Sequence, residues 1–149
     1  MANSGDLFNA VKTFDKALEI DPDDNNTKTN REMLVEKIVN DNIVKGYDNL
    51  VNGNYSESSK YYDIVLEVQP ENIDALINKG NLSFFQKNYL ETLKFLDKAI
   101  EINPEHSILW ANNAEALEEM GTYNEAITCF EKVIEIFLNV IPVLRQKKI

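Results

Sequence analysis

Residues 21–32 read Asp-Pro-Asp-Asp-Asn-Asn-Thr-Lys-Thr-Asn-Arg-Glu and set oxygen donors at positions 1, 3, 5 and 12 of a calcium-loop template. That template needs glycine at its sixth position for a sharp turn, and here the sixth is Asn26. Pro22 at the second place and Lys28 at the eighth also depart from it. A turn between two helices explains the same residues, so no metal site is assigned and a calcium-responsive module is the lesser alternative. Material for catalysis is thin. His106 is the single histidine and Cys129 the single cysteine, and neither has a Ser–His–Asp or Cys–His arrangement around it. A small apolar-type residue in a helix core is the plainer account of Cys129. No glycine-rich phosphate loop is present, and the carboxylates are spread too evenly to single out an acid–base pair. The expectation is a non-enzyme with no cofactor.

The charge balance narrows the partners. A formal net charge of −10 opposes binding to phosphate backbones, so no nucleic acid is expected. The one basic cluster, Arg145, Lys147 and Lys148, is read as a solvated tail. No apolar run approaches the roughly 18–20 residues of a membrane span, so no membrane partner is expected. A lone cysteine and the lack of an apolar leader segment place the expected location in the cytoplasm.

The elements that position side chains emerge from self-similarity. Ala17-Leu18-Glu19-Ile20-Asp21-Pro22 is echoed by Val65-Leu66-Glu67-Val68-Gln69-Pro70 and by Ala99-Ile100-Glu101-Ile102-Asn103-Pro104. Val133-Ile134-Glu135-Ile136-Phe137-Leu138 matches without the proline. From Pro70 to Pro104 is 34 residues, and from Pro104 to Leu138 is 34 again. Upstream turns repeat with them: Gly5-Asp6-Leu7, Gly53-Asn54-Tyr55, Lys87-Asn88-Tyr89 and Gly121-Thr122-Tyr123. Inside each unit the apolar residues recur at three or four, as in Tyr89, Leu93, Leu96, Ile100. Each proline stops a helix, because it has no N–H and keeps its predecessor out of the helical region. The unit is helix, turn, helix, stop.

This pattern resembles the tetratricopeptide repeat, a 34-residue helix pair. Trp110, Ala114, Leu117, Gly121, Tyr123, Ala126, Phe130 and Val133 fall at that family's spacing. Leu76, Gly80, Tyr89, Leu96, Ala99 and Pro104 do so in the unit before, and Gly46, Gly53, Tyr55, Tyr62, Val65 and Pro70 in the one before that. The resemblance implies an all-α fold, an α-solenoid of antiparallel helix pairs in a right-handed superhelix of about seven helices. The expected division is residues 1–24 as the second helix of an incomplete repeat, 25–72, 73–106 and 107–140 as repeats, and 141–149 as a C-terminal tail. Gly46, Gly80 and Ala114, with Ala17, Ala99 and Ala126, are the small residues that let helices approach.

One interval departs: Pro22 to Pro70 is 48, or 34 plus 14. Fourteen residues are close to four helical turns, so the insertion predicts one long first helix over roughly 30–52, capped by Asn30 and projecting beyond the stack. It also has Asn42, Lys45 and Asn49 where the family packs inward, and Ile43, Val44, Tyr47, Leu50 and Val51 where it faces its open groove. Either the helix is rotated and buries that stripe, which is the expected arrangement, or the stripe lines the groove.

By resemblance the binding groove is formed by the first helices, at Tyr47, Ile77, Asn78, Asn81, Phe84, Phe85, Asn112, Glu115, Glu118 and Glu119. Asn78 and Asn112 stand 34 apart, where an amide can both donate to and accept from a ligand backbone. Members that hold chaperone C-terminal carboxylates use Lys and Arg in the groove, whereas this chain has Ile43, Tyr47, Ile77, Asn78, Ile108 and Asn112 there. The expected partner is another protein or peptide with an apolar anchor and Lys or Arg, held by a scaffold that is apolar toward Tyr47 and Phe84 and acidic toward Glu115–Glu119. The ends leave an alternative. A lone second helix exposing Leu7, Val11 and Phe14, and an apolar C-terminus, fit a homo-oligomer built through the terminal helices.

Overall fold

The computed structural model describes the backbone of residues 4–146 and the side chains of residues 6–140. Seven helices account for the regular structure among the described residues: α1 (Ser4–Ile20), α2 (Asn25–Val51), α3 (Tyr55–Val68), α4 (Ile73–Phe85), α5 (Tyr89–Ile102), α6 (Ser107–Glu119) and α7 (Tyr123–Gln146). The described residues form an all-α fold of helices joined by short connectors. It divides after Ala75 into two compact units.

The connectors follow from local chemistry. Gln69 and Asn103, each just before a proline, sit in extended backbone at φ near −137° and −138° and end α3 and α5. Gly53 and Gly121 turn the chain with φ of +76° and +77°. The equivalent place in the middle pair is Lys87, at φ +58°, a left-handed conformation that costs a side-chain-bearing residue energy. Lys87→Gly is therefore expected to raise stability by about 1 kcal/mol, seen as a higher urea midpoint at unchanged slope. Where α3 and α5 have their prolines, α7 has Leu138, and with no stop there the helix continues to Gln146 instead of giving way to a tail. The basic cluster Arg145, Lys147 and Lys148 lies outside the residues whose side chains are described.

In the first unit, α2 is one continuous helix of 27 residues. It starts five residues earlier than the pattern suggests, because Asp24 and not Asn30 caps it. The Asp24 carboxylate accepts from the backbone N–H groups of Asn26 and Thr27 and from the Thr27 hydroxyl. The Thr27 hydroxyl, foremost, holds this carboxyl below the ordinary aspartate value. Its folded value being depressed, the stabilisation is present above the unfolded value and is lost as pH falls through the folded one. Asp24→Ala should thus lower the melting temperature at pH 7, by an amount that shrinks as pH falls into the acid range, as followed by circular dichroism. The calcium template fails on the same geometry: residues 25–32 are helical, so no twelve-residue loop exists.

The inserted turns do not project. Val35 and Ile38 are buried with Val11 of α1, and Leu7, Ile64 and Val68 pack against them. Arg31 forms an ion pair with Asp15 across the same contact. Val11 is thus core and not an exposed terminal residue, while Ala17 is exposed. The expected rotation of α2 is also corrected. Asn42 and Gly46 are buried, and Val44, Tyr47 and Val51 are exposed. Gly46 decides this phase. A Cβ there would lie 2.5 Å from the fully buried Tyr62 ring, and Ser58 Oγ donates to the Gly46 carbonyl at 2.7 Å. Only the bare glycine face fits against α3, so the polar Asn42 one turn earlier must go inside with it. Its amide donates to Ile38 O at 2.7 Å, and its Oδ1 has no partner.

In the second unit, Leu96 packs over Gly80. Thr92 Oγ1 donates to the Gly80 carbonyl, repeating the Ser58–Gly46 bond one pair on. Ala114, Leu117, Ala126 and Cys129 form the α6–α7 core, with Leu93 and Trp110 against it.

Candidate functional site

The chemistry-bearing side chains of the second unit converge between α4 and α6. A cavity of about 430 Å³ is lined by Ile77, Asn81, Phe84 and Phe85 of α4, Thr92 of α5, and Ile108, Asn112 and Glu115 of α6. The helical spacing explains the convergence. Ile77, Asn81 and Phe84 lie at four and three residues on one face of α4, and Ile108, Asn112 and Glu115 do the same on α6. The interior is apolar, while the polar groups sit along it. Asn112 Nδ2 donates to Asn81 Oδ1 at 3.3 Å. Phe84 meets Phe85 and Tyr89 edge-on, with ring centroids 6.5 and 5.4 Å apart.

Of the residues singled out in the sequence, Ile77, Asn81, Phe84, Phe85, Asn112 and Glu115 line this cavity. Asn78 is half-buried and outside the lining, and Glu118 is exposed outside it. Glu119 accepts a 3.1 Å hydrogen bond from the Tyr89 hydroxyl. Burial first and Glu119 second push that phenol above its ordinary value. Tyr47 is exposed and belongs to the first unit. Ile108, named above where other members hold Lys or Arg in the groove, also lines the cavity, and Thr92 joins it without having been named. Ile108 is the next position up the Asn112–Glu115 face and was legible from spacing. Thr92 is on a second helix, and no sequence signal marks it.

Nothing in the described residues gathers catalytic groups. The Cys129 thiol is buried against α6, and burial, ahead of Asp97 and Glu125, pushes it up and makes it a poor nucleophile. No group of three His, Cys, Asp or Glu among the described residues could hold a metal ion. Among the described residues no helix is long and apolar enough to cross a membrane. A larger concavity of about 620 Å³ follows the connector Val68–Asp74, but its walls are one turn of chain with no facing helix.

Comparison with known proteins agrees with this architecture. The family model described as anaphase-promoting complex, cyclosome, subunit 3 matches residues 51–133, and a tetratricopeptide repeat model matches residues 2–24. No curated protein matches the chain in sequence. Among solved structures it is similar to MamA, at 18% identity and a TM-score of 0.67 over 93% of this chain and 92% of that one. It is similar to the first tetratricopeptide domain of Spaghetti (RPAP3) bound to the HSP90 peptide SRMEEVD, at 19% and 0.64 over 67% and 79%. The tetratricopeptide domain of Sgt2 from Aspergillus fumigatus gives 22% and 0.63 over 68% and 67%. At these identities the likeness is one of fold. With the subunit 3 model, itself of tetratricopeptide type, spanning more than half of the 149 residues, the chain belongs to the tetratricopeptide repeat family.

Proposed function

We propose that this chain is a non-catalytic protein-binding scaffold that holds a peptide or helical segment in the α4–α6 cavity. The carrying observation is the cavity lining: apolar walls from Ile77, Phe84, Phe85 and Ile108, two amides, and the carboxylate of Glu115. Such a lining suits an apolar anchor beside Lys or Arg, with Asn81 and Asn112 offering backbone-type hydrogen bonds. Glu118 and Glu119 add negative charge beyond the cavity wall, which favours encounter with basic segments and repels acidic ones.

The Spaghetti domain, of similar fold, was solved with the acidic peptide SRMEEVD. This cavity has no Lys or Arg in its lining to receive such a ligand. The test is fluorescence anisotropy with two labelled probes, SRMEEVD and a peptide of the same length with Leu and Phe flanked by Lys. The expected result is saturable binding of the Lys-flanked probe, weakened by added salt, and none of SRMEEVD. Binding of SRMEEVD in preference, or of neither probe, rejects this reading.

A further inference from the structure

Phe84 and Phe85 close α4 as an aromatic pair that the repeat does not require. Moving back 34 residues gives Leu50 and Val51, and moving forward 34 gives Glu118 and Glu119. The other two helix pairs therefore fold without a ring at either place. In the middle pair both rings line the α4–α6 cavity, at 80° to one another with centroids 6.5 Å apart. Two perpendicular rings on one cavity wall make a corner.

The corner is braced from behind. The Tyr89 ring meets Phe84 at 5.4 Å and 61°, and the Tyr89 hydroxyl donates to Glu119 on α6 at 3.1 Å. Phe84 is held between two rings, so little ordering remains to be done when a ligand enters. The carboxylate of Glu115 lies on the same lining.

Aromatic faces carry a negative quadrupole and attract cations. Hydration decides which cation fits. A lysine ammonium brings three N–H donors and gives up water's acceptors on entering. Ile77, Phe84, Phe85 and Ile108 offer it no acceptor, and Asn81 Oδ1 already accepts from Asn112. A trimethylated ammonium has no donor to satisfy. It keeps the positive charge and spreads it over methyl groups that pack on rings at small desolvation cost.

We propose that the Phe84–Phe85 corner, with Glu115, is a recognition site for Nε-trimethyl-lysine in a partner peptide. The inference rests on the reading of this cavity as a peptide groove and names the residue that the groove selects. The rings supply cation–π attraction, Glu115 supplies the counter-charge, and the isoleucines cover the methylene stem.

The probes are the Lys-flanked peptide, the same peptide with the lysine next to Phe trimethylated, and a neutral version with a tert-butyl group in place of trimethylammonium. The trimethylated probe should bind about five- to thirtyfold more tightly than either of the others by anisotropy. In Phe85→Leu, which keeps an apolar side chain but removes the ring, the ratio of trimethylated to unmodified affinity should fall to about one. Phe85→Trp should restore the ratio. Phe85 is 58% exposed, so both variants should melt as the wild type does by circular dichroism. Equal binding of trimethylated and unmodified probes overturns this inference and leaves the peptide groove standing, whereas failure of all three probes removes both. Equal binding of the tert-butyl probe also overturns it, by showing that bulk and not charge is read. So does an undiminished ratio in Phe85→Leu. Choline displacing the trimethylated probe with a lower dissociation constant than the probe's own would assign the corner to a free quaternary amine and overturn the peptide occupant.

Discussion

Tyr62→Ala should cost about 3–5 kcal/mol of folding stability, read from the urea midpoint, because it empties a fully buried aromatic site. The more diagnostic result is its coupling to Gly46. Alone, Gly46→Ala sets two effects against each other. Helix propensity favours alanine by about 1 kcal/mol. Steric overlap opposes it by about 1–3 kcal/mol, since the new Cβ falls 2.5 Å from a ring that has no room to withdraw. Overlap is expected to win. In the Tyr62→Ala background the ring is gone, and Gly46→Ala should become stabilising by up to about 1 kcal/mol. At Gly80 the new Cβ would lie 3.2 Å from Leu96 carbons, which a flexible leucine accommodates by a few tenths of an ångström, so Gly80→Ala should be near neutral. A Gly46→Ala cost that persists without the Tyr62 ring would show that this ring does not set the phase of α2.

The second large effect is on binding. Phe84→Ala should weaken the Lys-flanked probe at least about tenfold, because an aromatic anchor in the middle of a groove carries more than its share of the affinity. Phe84 stands between Phe85 and Tyr89, so its loss opens the apolar wall and loosens its neighbours together. Glu115→Lys should act differently, lowering affinity and flattening the salt dependence by reversing a charge at the lining. Titration calorimetry of the two variants, with melting curves to establish that both are folded, separates the contributions. Unaltered affinity in Phe84→Ala would remove the cavity from consideration as the binding site.

The two kinds of residue in these predictions differ in how they could be read. Phe84, Asn81, Asn112 and Glu115 could be named because the resemblance to tetratricopeptide repeats implies which first-helix positions face the groove, and the 34-residue period carries those positions from one helix to the next. Periodicity is a property of the chain alone. The helix pairs, their proline stops and the glycine turns were legible for the same reason. The phase of α2 was not. Its apolar stripe pointed to burial of Val44, Tyr47 and Val51, and the buried residues turned out to be Asn42 and Gly46. A hydrophobic pattern says which face is apolar, but it gives no weight to a glycine whose missing side chain admits a ring from another helix.

The helix ends divide in the same way. Asp24 and Asn30 are both competent caps by type. Asp24 prevails because it stands where the chain leaves the Pro22 turn with Thr27 three residues on. The absent proline at Leu138 was plain in the sequence, yet the length of α7 emerged only in three dimensions. The sequence by itself determined the repeat unit, its period and the apolar positions within it, because these depend on local helix geometry. Tertiary structure decided which apolar positions are covered. Leu96 and Phe130 occupy the same place in the repeat, and one is buried while the other faces solvent. Leu96 packs over Gly80 of α4, and burial of this kind depends on what another helix offers, which no property of the residue itself can specify.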